Sequence, residues 1–317
     1  MEIREYSNAS SGFFYKVKEI LASKQTQYQK AELVETEFFG KALLLDGRTQ
    51  VTERWEYRYH EPLVHPAVLI HPNPKRALLI GGGDGGTLRE IQKYKSIESV
   101  DFAELDPEVV TFSKEYFPTI HQNAFSDKRV TFHIGDGREF VFNAAKNVSD
   151  NPKKDARSSA NGYDIIIMDM TDPVGPACML YTKEFFLAVK KLFKNKNAVF
   201  SMHGESPMAW PEAFACISAT LSDVFAHVST STCYVPMYGA LWSYKYASDS
   251  RVPVLQDSGL IQDRITERFD KPLTFVNKEM WPSLFANDPV IAEADSHPLR
   301  RIIRDSDPVF PGIFDAQ

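Results

Sequence analysis

The chain has 317 residues, 43% of them hydrophobic, which is enough for a substantial core in one large domain or two moderate ones. A formal net charge of −6, with lysine and arginine scattered rather than clustered, argues against a phosphate-binding surface, so nucleic acid is not an expected partner and a cationic small molecule is compatible. No apolar run approaches the roughly 18 residues needed to cross a bilayer, and the opening Met-Glu-Ile-Arg-Glu-Tyr-Ser lacks a signal-peptide core, so a cytosolic chain with no membrane partner is expected.

Residues 13–70 alternate apolar and polar positions in short runs, with turns at Phe39-Gly40 and Asp46-Gly47, and predict a small antiparallel sheet. Pro62, Pro66, Pro72 and Pro74 predict a short helix surrounded by prolines and a boundary near 71–75. This divides the chain into an N-terminal β-strand domain, 1–71, and a second domain, 72–317. Beyond the boundary, apolar strands at 77–80, 99–104, 130–134, 163–168 and 198–203 are separated by helix-length stretches, with starts near Thr87, Pro107 and Thr182. That alternation predicts right-handed βαβ units and an α/β, Rossmann-like doubly wound sheet. The polar stretch 143–162 loses hydrophobic periodicity after its first turn and is expected as a surface insertion. Toward the C-terminus, Trp242-Ser243-Tyr244-Lys245-Tyr246 is strand-like, residues 261–268 are helical, and the tail is rich in proline.

The first strand breaks into Gly81-Gly82-Gly83-Asp84-Gly85-Gly86, in which Gly81, Gly83 and Gly86 satisfy the Gly-x-Gly-x-x-Gly spacing. A dinucleotide site offers amides and a helix N-terminus to a pyrophosphate, and the carboxylate of Asp84 would repel it. The loop therefore suits a ligand with a cationic arm, such as a sulfonium nucleoside carrying an ammonium. The plainer reading of Asp84 is an acid that satisfies a helix dipole. Ligands of such sheets sit beyond the carboxyl ends of the strands, and four of these positions are acidic: Asp84, Glu104, Asp136 and Asp169. Glu104 stands twenty residues after Asp84, the spacing of a ribose-binding carboxylate, whereas Asp106 suits a cap for the Pro107 helix. Asp136 lies in the Gly135-Asp136-Gly137 turn, where it meets an adenine amino group or is a plain turn aspartate. In Asp169-Met170-Thr171-Asp172-Pro173-Val174-Gly175-Pro176-Ala177, two carboxylates three residues apart in a proline-stiffened loop face one pocket. One can orient an ammonium while the other takes its proton.

With Gly-Gly-Gly-Asp-Gly-Gly at 81–86 and Asp-x-x-Asp-Pro-x-Gly-Pro-Ala at 169–177, the chain resembles the polyamine aminopropyltransferases, the spermidine synthase family. The stretch Leu45-Asp46-Gly47-Arg48-Thr49-Gln50-Val51-Thr52-Glu53, together with Tyr59-His60-Glu61 and Val235-Pro236-Met237-Tyr238, extends the resemblance over most of the chain. It implies a methyltransferase-type Rossmann-like domain behind an N-terminal β domain. It also implies transfer of the aminopropyl group of decarboxylated S-adenosylmethionine to an amine, with release of 5'-methylthioadenosine and no further cofactor. By the same resemblance Gln50, Gly81, Glu104, Asp136 and Gly137 would hold the nucleoside and Asp84 the donor ammonium. Tyr59, Asp169, Asp172 and Tyr238 would hold the acceptor; His60 and the divergent Trp55 are expected beside it, and Asp169 is the best-placed base because the attacking ammonium must lose a proton. A homodimer or homotetramer through the N-terminal sheet is implied as well. Glu53-Arg54-Trp55-Glu56 and Tyr238-Gly239-Ala240-Leu241 depart from the family pattern beside the expected amine channel. Tyr59-His60-Glu61-Pro62-Leu63-Val64-His65-Pro66-Ala67 is more similar to the thermospermine synthase branch, which leaves putrescine or a longer polyamine open as acceptor.

No metal is expected. His60, His65 and His71 fit no usual ligand spacing, and Cys178, Cys216 and Cys233 fit none either, suiting a reducing compartment. Two other functions share parts of this pattern. A methyltransferase using S-adenosylmethionine would have to place a methionine carboxylate against Asp84, and a non-catalytic polyamine or nucleoside sensor would not need Asp169.

Overall fold

The computed structural model describes all residues except 9, 151–161, 251–256, 271 and 313–317. Five antiparallel strands, β1 (Glu2–Asn8), β2 (Ser11–Gln25), β3 (Lys30–Thr36), β4 (Lys41–Leu45) and β5 (Arg48–Thr52), form the first sheet in sequential order. It begins at Glu2 rather than near residue 13. The turn between β4 and β5 has Asp46 and Gly47 at φ 49° and 78°, the positive pair that a two-residue hairpin with matching twist requires.

Helix α1 (Tyr57–Ile70) follows, and here the proline expectation is corrected: Pro62 and Pro66 lie inside the helix instead of bounding it. A helical proline leaves the carbonyl four residues back without its amide. Tyrosine hydroxyls replace both missing donors, since Tyr244 donates to Arg58 O (3.1 Å) and Tyr246 to Pro62 O (2.7 Å). The helix lies before the expected boundary at 71/72 and packs on the second sheet, against α2 (Gly86–Gln92) and several of its strands.

That sheet contains β6 (Arg76–Gly81), β7 (Ser99–Glu104), β8 (Val130–Ile134), β9 (Ile165–Asp169), β10 (Val199–His203), β11 (His227–Val235) and β12 (Ala240–Ser248). Its order is β11-β12-β10-β9-β6-β7-β8, parallel from β10 to β8 with an antiparallel hairpin at the other edge. Leu78, Leu79 and Ile80 in β6, and Ile165, Ile166, Ile167 and Met168 in β9, are all buried, as continuous apolar runs must be when helices cover both faces. Each such side chain stabilises the fold by about 1.5–3 kcal/mol relative to exposure. The connecting helices are α2, α3 (Pro107–Tyr116), α4 (Pro118–His121), α5 (Gly137–Asp150), α6 (Lys183–Lys191) and α7 (Pro211–Val224). Thr182 caps α6 by accepting from Phe185 N (3.3 Å). Helix α5 carries the chain to residue 150, so the first part of the expected insertion is helical, and 151–161 lie outside the described residues. Helix α8 (Ser258–Arg268) anchors on α1 through Arg264 and Arg268, whose guanidiniums donate to the carbonyls of Ile70 (3.0 Å) and Val68 (2.8 Å). Among the described residues no helix is long and apolar enough to cross a membrane.

Candidate active site

β6 and β9 are parallel neighbours whose register pairs Gly81 with Asp169. The chain runs outward from β6 through β7 to β8 and then returns to β9 on the other side, so a crevice opens over this pair. The cavity there measures about 890 Å³ and is lined by strand-end loops of the second sheet and by residues of β1, β4 and β5 from the first.

One end holds Gly81, Asp84, Glu104, Asp136 and Gly137. Gly82 has φ 81°, and a Cβ there would stand 2.9 Å from Asp169 Oδ2, so the loop lies flat on β9 only as glycine. Asp84 Oδ1 accepts from Gly86 N (2.6 Å) at the start of α2, which is the dipole role, while the residue also lines the cavity. Behind it stands fully buried His60, with Nδ1 2.6 Å from Glu56 Oε2 and Nε2 3.4 Å from Asp84 Oδ1. Burial pulls His60 down, but Asp84 and Glu56 outweigh it and raise the imidazole to about 10. Burial pushes Asp84 up, and the His60 charge more than reverses this, leaving the carboxyl below its usual range. Asp84 is thus held anionic from behind. Glu104 accepts from Asp106 N (2.9 Å), and burial lifts it to about 7. Asp106 caps α3 by accepting from Glu108 N (3.0 Å). Asp136 makes the turn bond from Arg138 N (2.7 Å) and still lines the cavity, as does Gln50.

Asp169 occupies the middle. Its Oδ1 accepts from the Tyr59 hydroxyl (2.8 Å) and its Oδ2 from Thr87 Oγ1 (2.6 Å), which fixes the carboxyl plane while leaving lone pairs toward the cavity. Burial and then Asp84 push it above the ordinary carboxylate range. Tyr59 and Tyr238 meet edge to face, centroids 5.7 Å apart, and Tyr238 donates to Gln50 O (2.9 Å). At the far end Asp172 lies 3.4 Å from Arg48 Nη1 and is raised to about 7 by burial and by Glu205.

Two expected acceptor contacts stand elsewhere. Trp55, at φ 68° in the turn before α1, packs its ring on Phe38 and Phe39 and is absent from the cavity wall. His60 follows Tyr59 by about 100° around the helix, so Tyr59 points into the cavity and His60 points toward α2. The other two histidines considered as ligands have protein neighbours too: His65 Nε2 lies 2.7 Å from Glu90 Oε2, and His71 Nε2 lies 3.7 Å from Asp164 Oδ1.

The structure adds four residues to the site. Glu5 of β1 lines the far end, accepts from Thr49 N (3.0 Å) and is raised to about 7 by burial. Arg48 faces it across the same end. His203 lines the wall, and Glu205 stands behind it at φ 64°, raised to about 8 by burial. His203 Nδ1 lies 3.3 Å from Glu205 Oε1 without closing a hydrogen bond, and neither carboxylate oxygen of Glu205 has a hydrogen-bond partner among the described residues. Glu205 follows β10, so the strand-end rule that selected the other acids also selects it. No such rule points to Glu5.

Residues 56–256 match the spermine/spermidine synthase domain, and residues 1–53 match the spermidine synthase tetramerisation domain. A polyamine aminopropyltransferase of Nitrosomonas europaea is 38% identical over 256 residues, covering 81% of this chain and 74% of that protein. One from Sulfurisphaera tokodaii is 38% identical over 272 residues, covering 85% of each. Among solved structures, a spermidine synthase in complex with the transition state analogue AdoDATO superimposes with a TM-score of 0.82 at 31% identity, covering 93% of this chain and 94% of that one. Spermidine synthase from Thermotoga maritima gives 0.79 at 30%, with the same coverage.

Proposed function

The chain belongs to the spermine/spermidine synthase family of aminopropyltransferases, and from that premise we propose how its cavity divides the work of moving an aminopropyl group from decarboxylated S-adenosylmethionine to an amine. The observation that carries this reading is the convergence of Asp84, Glu104, Asp136 and Asp169 on one cavity at the β6/β9 crevice. Asp136 and Gln50 flank the adenine, Glu104 accepts from the ribose hydroxyls, and Asp84 pairs with the donor ammonium. The acceptor threads between Tyr59 and Tyr238, whose ring faces attract a cationic chain by about 0.5–2 kcal/mol.

An alkyl ammonium near its free pKa of about 10.4 cannot attack carbon until it loses a proton. Asp169, fixed by Tyr59 and Thr87 and shifted toward proton affinity, takes that proton. The nitrogen lone pair then forms a bond to the carbon next to sulfur, the carbon–sulfur bond breaks, and its electrons leave with the neutral sulfide of 5'-methylthioadenosine. Holding both reactants in line supplies much of the acceleration. No further cofactor enters the proposed reaction. The methyltransferase alternative is opposed by Asp84, whose charge His60 sustains against any methionine carboxylate.

The proposal extends to a cytosolic homodimer or homotetramer. Its oligomeric part is supported by the exposure of Tyr6 (61%), Phe14 (63%) and Ile20 (48%) on the N-terminal sheet. The test of function supplies decarboxylated S-adenosylmethionine and a panel of amines and quantifies methylthioadenosine together with the new polyamine. Methyl transfer from S-adenosylmethionine, without aminopropyl products, would overturn the reading.

A further inference from the structure

The far end of the cavity contains its own counter-ion. The tight turn at Asp46 and Gly47 delivers Arg48 at the start of β5, where it lines the cavity and reaches Asp172 Oδ2 at 3.4 Å. Its neighbour Thr49 donates to Glu5 from its backbone amide (3.0 Å) and from its hydroxyl, so the arginine and this acid are fastened to one hairpin. The 3.4 Å approach sets the guanidinium directly against Asp172, and its charge also opposes the upward push that burial gives Glu5 and Glu205. Lysine is absent from the described cavity wall, and the other arginine there, Arg138, is turned to Asp305 (2.6 Å) and Met179 O, away from this end. A carboxylate that would meet the second ammonium of a diamine is therefore already facing a cation.

We propose that Arg48 determines acceptor specificity by competing with the acceptor's far ammonium for Asp172. This role rests on the reading of the cavity as an aminopropyl-transfer site with its acceptor between Tyr59 and Asp172. A diamine must displace the guanidinium or carry its second charge beside it, and the low effective dielectric of the cavity makes that repulsion costly. A monoamine of the same length meets no such cost. Arg48 is half-buried at the rim, so its side chain has room to swing toward solvent when a diamine enters. The selection is therefore graded rather than absolute.

Butane-1,4-diamine and butylamine differ only in the far charge, so the ratio of their kcat/KM values isolates it. Replacing Arg48→Met keeps the aliphatic stem and removes the charge. It should raise the diamine-to-monoamine ratio about tenfold, mainly through the diamine KM. Arg48→Lys keeps the charge and should leave the ratio within about twofold of the parent. Titration with methylthioadenosine shows whether each variant retains a folded donor site. An unchanged ratio in Arg48→Met, a lower one, or an equal loss for both amines overturns the role of Arg48. Failure of the parent enzyme to release methylthioadenosine with any amine is a separate result, and it overturns the cavity reading itself.

Discussion

The acids of the donor end are each fixed by a bond to the backbone two residues ahead, Asp84 by Gly86, Glu104 by Asp106 and Asp136 by Arg138, whereas Glu5 and Asp172 at the acceptor end have distant partners. Glu5 is held by Thr49, 44 residues away, and Asp172 faces Arg48, 124 residues away. Local bonds make the donor end a property of short motifs in strand-end loops. The acceptor end exists only once two sheets are docked, so one substitution in a hairpin can change its charge without touching the chemistry.

Asp169 sits on the border between the two ends, and the largest effect is expected there. Asp169→Asn keeps the shape and removes the base, so kcat should fall by about 10²–10⁴-fold while the affinity for methylthioadenosine, which needs no proton transfer, changes little. Single-turnover rates with calorimetric titration separate the two quantities. Turnover near that of the parent would remove Asp169 from the mechanism.

At the donor end, Asp84→Asn should weaken the decarboxylated donor by up to about 10²-fold, bring S-adenosylmethionine closer to it in affinity, and leave methylthioadenosine nearly constant. Dissociation constants for all three ligands on both proteins provide the check. If the ratio between the two sulfonium ligands does not move, pocket shape and not charge selects the donor.

At the acceptor end, pH is the sharper probe. Glu5 and Asp172 are raised to about 7 and Glu205 to about 8, so their folded values lie above those of the unfolded chain. Their contribution to stability is complete below the unfolded values and is lost as pH rises through the folded ones. Ammonium binding needs the ionised forms, so kcat/KM for the acceptor should rise over the same window, by up to about tenfold per pH unit below 7. An acidic limb that stays in place in the Glu5→Gln variant would assign the ionisation to another group.

The smallest effect concerns the helix that carries Tyr59. Tyr246→Phe strips the hydroxyl from Pro62 O and should cost about 1–2 kcal/mol, a fall of roughly 2–5 °C in melting temperature, with kcat unchanged. A melting temperature equal to that of the parent would mean that water replaces the hydroxyl.

The sequence by itself determined the second sheet, its glycine loop and four of its strand-end acids, because apolar runs in strands buried on both faces and glycines in a tight turn are local requirements. Glu205, two residues beyond β10, obeys the same rule. Tertiary structure decided the rest. Pro62 and Pro66 reside inside α1 only because Tyr244 and Tyr246, some 180 residues on, supply the hydroxyls that the helix backbone lacks. Trp55 and His60 carry motif-like neighbours, yet a left-handed turn and a 100° step around the helix direct both away from the cavity. Glu5 and Arg48 are ordinary strand residues until the first sheet closes over the second, since which buried charges face one another depends on how surfaces dock and not on any spacing along the chain.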